Sequence, residues 1–144
     1  MAHSYVCVYA HVVFNTKGRR PLIPENQHRL LWKYLAGIAK NYGMKTLAIG
    51  GMADHVHILL SLASDISVSK AVNVLKSNSS KWMRAQSRQF AWQEGYAAFS
   101  SGLNKIIDCI NRQPEHHKKR DFAQEYLALL KKHGVEYDPA WVLG

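Results

Sequence analysis

Two histidines stand one residue apart in the stretch ADHVHILLSL, at positions His55 and His57. The stretch is otherwise apolar enough to predict a strand, and side chains alternate between the two faces of a strand. We therefore expect both histidines on one face, with Val56, Ile58 and Leu60 on the face that packs against the core. Two imidazoles at this spacing are close enough to share one cation. A pair of solvated strand histidines is the alternative.

Two familiar classes of histidine site match this stretch poorly. Histidine-triad nucleotide hydrolases carry three alternating histidines, and Leu59 occupies the position where the third would fall. Structural zinc sites usually combine histidines with closely spaced cysteine pairs. The two cysteines, Cys7 and Cys109, are widely separated, which favours reduced thiols over a zinc site or a disulfide.

The elements that position the histidines follow from hydrophobic periodicity and from turn residues. Strands are predicted over 3–16, 44–52, 55–62 and 95–101, and helices over 25–43, 67–86 and, with a break near Gln113–Pro114, 104–133. The order β-α-β-β-α-β-α is typical of an α+β fold of the ferredoxin-like or RRM-like type, a split βαβ unit with an antiparallel sheet and here an added C-terminal helix. In such a fold two helices cover one face of the sheet, and we expect the histidines on the open face.

The size and composition of the chain are typical of one folded domain spanning residues 1–144. Its 19 lysines and arginines against 10 acidic residues give a net charge of +9, which favours a polyanionic partner, with nucleic acid preferred to a membrane. The N-terminal sequence lacks the pattern of a secretory signal, and no apolar run approaches the roughly 20 residues that cross a bilayer. We therefore expect a cytoplasmic protein with no membrane association.

Basic and aromatic side chains supply candidates for nucleic-acid contacts. The side chains expected to contact phosphates are Arg19, Arg20, Lys76, Lys81, Arg84, Lys118, Lys119 and Arg120. Trp82 and Trp92 could stack on unpaired bases, and packing in the core is the alternative for both.

Four stretches carry a family resemblance. They are GGMADHVHILLSL, with its His-hydrophobic-His (HUH) motif, then VLKSNSSKWMR, WQEGYAAFS and CINRQPEHHKKRDFAQEYLALLKKHGVEYD. In this order they resemble the single-tyrosine HUH transposases of the smallest bacterial insertion sequences, which include the REP-associated tyrosine transposases. The resemblance runs from about Tyr5 to Tyr137. It implies a homodimer that cuts and rejoins single-stranded DNA at hairpin-marked element ends, with the tyrosine helix of one subunit completing the metal site of the other.

The resemblance also implies roles for individual residues. His55 and His57 match the HUH pair and Gln113 matches the glutamine ligand of the family, so the implied cofactor is Mg²⁺ or Mn²⁺. The tyrosine that attacks phosphorus and becomes linked to the DNA 5′ end should stand four residues before Gln113, and Cys109 occupies that position. Because a thiol side chain is several ångströms shorter than a tyrosine and sulfur suits a hard-cation site poorly, we expect impaired cleavage. Tyr126 is expected to pack on an amphipathic helix rather than replace the nucleophile.

Two other functions remain open from the sequence. One is a non-catalytic protein that binds DNA hairpins, a domesticated or decayed relative of the transposases. The other is an RNA-binding domain of the same fold, which normally carries stacking aromatics where this chain has histidines. Asp54 could orient a histidine or simply form a turn, and His116 and His117 could reach the site or lie in an exposed turn.

Overall fold

A computed structural model describes residues 7–100, 110 and 121–132. Its strands are β1 (Tyr9–Asn15), β2 (Lys45–Met52), β3 (His55–Ser61) and β4 (Ala97–Ser100). Its helices are α1 (His28–Asn41), α2 (Val68–Arg84) and α3 (Phe122–Lys132), with short 3-10 turns at Lys17–Arg19 and Glu25–Gln27. Within the described residues, the order of elements is the one that the sequence predicts; the predicted break near Gln113–Pro114 lies outside them. Among the described residues, no helix combines the length and the apolar character that crossing a membrane requires.

The four strands form one antiparallel sheet in the order β2-β3-β1-β4. This is the strand order of the ferredoxin-like fold, so the predicted fold class is confirmed. Strand β3 lies in the interior of the sheet, where His57 is paired with Val13 of β1 on one side and Gly50 of β2 on the other. The HUH motif therefore sits on an interior strand, with backbone partners on both sides.

Helices α1 and α2 cover one face of the sheet. The local sequence explains where they begin and end: the Ser67 side chain accepts a hydrogen bond from the Lys70 backbone N–H at the start of α2. Gly43, at φ 76°, takes the left-handed conformation that ends α1. The side chains buried between these helices and the sheet include Phe14, Val56, Ile58, Leu60, Leu31, Leu35, Val72 and Leu75. Alternation along β3 therefore directs its apolar residues as predicted.

The opposite face of the sheet is also covered, which the sequence did not indicate. Helix α3 packs Phe122, Tyr126 and Leu130 against residues of β1 and β4. The expectation that His55 and His57 lie on an open face is therefore wrong: they share one face, but they are 0% and 1% exposed. The physical reason is the apolar stripe of α3, which removes hydrophobic area from water by packing over this face.

A glycine in β2 permits a second close contact on the same face. Ile110 packs with Ala48 and Leu59 on the histidine side of the sheet. A Cβ atom on Gly50 would lie 2.2 Å from the carbonyl oxygen of Ile110, so only glycine allows the two backbones to approach this closely. Because Gly50 is paired with His57, this contact lies immediately beside the HUH motif.

Candidate metal centre

The two histidines of β3 are held rigidly in the interior. Their ring centroids are 5.2 Å apart and the rings are nearly perpendicular, at 80°. The His55 ring also stacks on Phe122 of α3, with the centroids 4.4 Å apart and the planes 25° apart. Packing from the sheet and from α3 therefore fixes both imidazoles, which favours a preformed site over a pair of mobile solvated side chains.

Asp54 lies in the turn before β3 and contacts the first histidine. Its Oδ1 is 2.7 Å from His55 Nδ1. Backbone hydrogen bonds brace this turn: the Thr16 N–H donates to the Asp54 carbonyl at 2.9 Å, and the Ile23 N–H donates to the Ala53 carbonyl at 3.0 Å. This geometry supports the expectation that Asp54 orients a histidine. A carboxylate bound to Nδ1 of His55 leaves Nε2 for a metal.

Glu125 of α3 joins the histidines. Its Oε1 lies 2.8 Å from His57 Nε2, and its side chain is only 10% exposed. One ligand atom each from His55, His57 and Glu125 can be chosen so that all three atoms lie within 4.8 Å of one another. Two imidazoles and a carboxylate form a donor set suited to a divalent first-row metal, and the carboxylate suits Mg²⁺ and Mn²⁺ in particular. The donor set therefore fits the metal that the family resemblance implies.

Comparison with known proteins supports the same interpretation. The sequence pattern of the family described as "Transposase IS200 like" matches residues 4–113, most of the chain. The chain is 32% identical over 130 residues to the transposase for insertion sequence element IS200 of Salmonella typhimurium LT2, covering 82% of this chain and 84% of the relative. The same values hold for the IS200 transposase of Salmonella typhi. The chain belongs to the IS200-like transposase family.

Two solved structures share the fold of this chain. One, from Deinococcus radiodurans R1, was solved as a candidate transposase and superposes with a TM-score of 0.64 at 22% identity, covering 78% of this chain and 95% of that one. The other is a REP-associated tyrosine transposase bound to a REP hairpin, with a TM-score of 0.61 at 16% identity, covering 81% of this chain and 73% of that one. At these identities the likeness establishes the fold.

Several expected site residues lie outside the described residues. They are Cys109, Gln113, His116, His117, Lys118, Lys119 and Arg120. The roles that the family resemblance implies for Cys109 and Gln113 thus stay predictions. Glu125, in contrast, was not singled out from the sequence, and it lies beyond the residues matched by the family pattern.

A sequence signal for Glu125 does exist. Phe122, Tyr126 and Leu130 form the buried stripe of α3, and Glu125 lies on the same side of the helix, three residues after Phe122. An acidic residue inside an apolar stripe requires a partner, because a buried unpaired carboxylate is costly. Pairing Glu125 with the two histidines of β3 would have predicted the candidate ligand group of His55, His57 and Glu125.

Tyr126 has the packing role that the sequence predicts. It lies with Phe122 and Leu130 in the cluster beneath α3, and its ring centroid is 5.2 Å from that of Phe122. Burial raises the pKa of the Tyr126 phenol above its ordinary value. A phenol that resists deprotonation and is enclosed by apolar side chains is a poor substitute nucleophile.

Lys76 is anchored within the fold. Its ammonium donates hydrogen bonds to the backbone carbonyls of Gln93 at 2.6 Å and Gly95 at 2.8 Å, and it lies 5.7 Å from the centre of the Phe14 ring. Burial lowers the pKa of Lys76, and nearby Glu94 partly opposes this effect. The ammonium therefore secures the segment before β4, and a phosphate contact by Lys76 stays a prediction.

The other basic residues expected to contact phosphates differ in their exposure to solvent. Arg20, Lys81 and Arg84 are exposed, whereas Arg19 is half-buried. Arg84 Nε donates to the Phe90 carbonyl at 3.1 Å, which fixes the direction of its side chain. Arg19 and Arg20 lie in the loop that follows Thr16, whose backbone N–H donates to the Asp54 carbonyl, so this loop adjoins the turn before His55.

Both tryptophans pack within the protein. Trp82 stacks on Tyr34 with centroids 4.8 Å apart and planes 15° apart. Trp92 meets Phe14 and Phe90 edge-on, and its indole N–H donates to Ser79 Oγ at 3.0 Å. Core packing therefore accounts for both side chains.

Proposed function

We propose that this chain is a metal-dependent transposase scaffold for single-stranded DNA whose strand cleavage is impaired because Cys109 replaces the tyrosine nucleophile. The observation that carries the proposal is the buried group of His55, His57 and Glu125 in a member of the IS200-like transposase family. Retention of three possible ligands is expected of a protein descended from an active metal-dependent enzyme.

In this proposal His55 and His57 hold Mg²⁺ or Mn²⁺ together with Glu125, Gln113 or both. When bound, such a cation stabilises the negative charge that grows on the scissile phosphate during attack. The protein's own contribution is to orient the ligands: Asp54 holds the His55 ring through Nδ1, and Phe122 supports its face. Preorganised ligands reduce the rearrangement needed when the phosphate arrives.

Position 109 is proposed to supply the nucleophile in active relatives. A tyrosine oxygen there would attack phosphorus and displace the DNA 3′ oxygen, leaving a 5′-phosphotyrosine bond that conserves the phosphodiester energy for rejoining. The shorter Cys109 side chain would bring sulfur to the wrong distance from the phosphate.

The proposed substrate is a single-stranded DNA hairpin, and the proposed assembly is a homodimer with composite sites. The net charge of +9 and the exposed Arg20, Lys81 and Arg84 suit a phosphate backbone. The similar REP-associated transposase is bound to a REP hairpin, which supports the hairpin as the recognised form. We also propose a cytoplasmic location.

The decisive experiment incubates the protein with hairpin-bearing single-stranded DNA from its own locus, in Mn²⁺ or EDTA, and separates the products on a denaturing gel. The chain as given is compared with Cys109→Tyr and with Cys109→Phe, which fills a similar volume without the hydroxyl. We expect a covalent adduct only for Cys109→Tyr and only with Mn²⁺. An adduct in the chain as given would contradict the proposed impairment.

A non-catalytic hairpin-binding protein is the second candidate, favoured by the replacement at position 109. It predicts metal-independent hairpin affinity and no adduct even in Cys109→Tyr. The leading proposal predicts that restoring one hydroxyl restores cleavage, so the same gel and a hairpin-binding titration in EDTA distinguish the two.

A further inference from the structure

A third buried histidine adjoins the candidate metal centre. His11 of β1 is 2% exposed, and its Nε2 lies 2.9 Å from His57 Nδ1. The two ring centroids are 5.2 Å apart, and the Phe99 ring lies on another side of His11 at 6.2 Å. This contact joins neighbouring strands in the interior of the sheet, where His11 is paired with Leu59 and His57 with Val13.

We propose that His11 is a positioning residue that holds the His57 ring so that Nε2 serves the metal; the inference rests on the metal centre proposed above. Each nitrogen of His57 has a distinct neighbour: Nδ1 meets His11, whereas Nε2 meets Glu125 at 2.8 Å. With Nδ1 engaged by His11, Nε2 is the nitrogen available to a metal on the side of Glu125.

An imidazole is well suited to this position because it can either donate or accept one hydrogen bond. When neutral His57 carries its proton on Nε2, that N–H donates to Glu125 and His11 Nε2–H donates to His57 Nδ1. When Nε2 must offer its lone pair to a metal, the proton of His57 lies on Nδ1 and donates to His11 Nε2, and neutral His11 then carries its own proton on Nδ1. His11 thus retains the same contact in both arrangements, and the His57 ring need not turn.

The two histidine ligands then have matching support. Asp54 engages His55 through Nδ1, and His11 engages His57 through Nδ1. Partners of this kind fix the ring orientation of a ligand, and their loss typically costs about 10- to 100-fold in metal affinity. A purely structural histidine, in contrast, would affect folding without changing metal affinity selectively.

The test titrates the full-length protein with Mn²⁺ and follows the electron paramagnetic resonance signal of unbound Mn²⁺. His11→Met and His11→Gln form a matched pair of similar length, since the amide can donate or accept the hydrogen bond whereas the thioether is only a weak acceptor. We expect His11→Met to weaken Mn²⁺ binding by about 10- to 100-fold and His11→Gln to recover most of that loss. Thermal unfolding in EDTA checks that each variant is folded, and His11→Leu replaces His11→Met if the latter does not fold.

The outcomes separate this inference from the proposal beneath it. Wild-type affinity in a folded His11→Met or His11→Leu variant, or an equal loss in His11→Gln, would overturn the positioning role. His57→Ala supplies the reference: if it binds Mn²⁺ as the wild type does, the proposed metal centre itself fails and the role of His11 fails with it. A loss in His57→Ala without a loss in His11→Met overturns only the inference about His11.

Discussion

The contact between Glu125 and His57 leads to a quantitative prediction for Glu125→Gln. The glutamine retains the size of the side chain but removes the charge from the atom that lies 2.8 Å from His57 Nε2. If Glu125 is a ligand, the native protein should be stabilised strongly by Mn²⁺ and the variant only weakly. The unfolded chain has no preformed site, so metal binding adds directly to the free energy of unfolding.

The size of the effect follows from mass action. At a Mn²⁺ concentration of about 100 times the dissociation constant, binding stabilises the protein by about 2.7 kcal/mol. For a chain of this length that corresponds to a rise in Tm of about 5–10 °C. If the amide weakens binding by about 100-fold, the same Mn²⁺ concentration only equals the dissociation constant, and the stabilisation falls to about 0.4 kcal/mol. The rise in Tm would then be about 1 °C.

Calorimetry in EDTA and at one fixed Mn²⁺ concentration measures this difference. Glu25→Gln is the matched control, because Glu25 is exposed in a 3-10 turn and should keep the full shift. Gln113→Ala tests the ligand implied by the family resemblance, and His57→Ala should abolish the shift. A full Mn²⁺ shift in Glu125→Gln, together with its loss in Gln113→Ala, would refute the argument for Glu125.

Two further predictions concern the framework around the site. Gly50→Ala should destabilise the protein by about 1–3 kcal/mol in chemical denaturation, because its Cβ would lie 2.2 Å from the Ile110 carbonyl oxygen. A Cβ atom on Gly37 of α1 would have no neighbour within 4 Å, so Gly37→Ala should stabilise the protein by roughly 0.5–1 kcal/mol. Equal stabilities for Gly50→Ala and Gly37→Ala would contradict the close approach of Gly50 to Ile110. Lys76→Met should destabilise the protein by about 1–3 kcal/mol, because its ammonium is bound to two backbone carbonyls. Lys81 is exposed, so Lys81→Met should change the free energy of unfolding by less than about 0.5 kcal/mol. It should also reduce by about 1 the slope of the logarithm of the hairpin-binding constant against the logarithm of the salt concentration. A larger loss of stability in Lys81→Met than in Lys76→Met would contradict these assignments.

Hydrophobic periodicity was sufficient to predict the topology of this protein. Alternation in the HUH stretch shows that His55 and His57 share a face, and turn residues between the periodic segments give the order of the elements. These signals are local, so they can be recognised without knowing how distant segments pack. Net charge added the prediction of a nucleic-acid partner, and family resemblance added the prediction of a metal and a hairpin substrate.

The burial of the histidines could not be predicted in the same way. Alternation indicates which side chains share a face of β3, but it does not reveal what covers that face. The cover comes from α3, whose Phe122 stacks on His55 and whose Glu125 meets His57. These contacts join segments far apart in the chain, and local patterns do not specify which distant helix packs on a given sheet face.

Burial also changes what the retained histidines signify. His55 packs on Phe122 and His57 bonds to His11, so both side chains contribute to the fold as well as to a possible metal site. A chain that has lost its nucleophile would still be selected to keep them, because removing a partner from a buried polar network is costly. An intact HUH motif therefore does not distinguish an impaired enzyme from a hairpin-binding descendant. Restoring a tyrosine at position 109 distinguishes the two, so that experiment is more informative than removing a histidine.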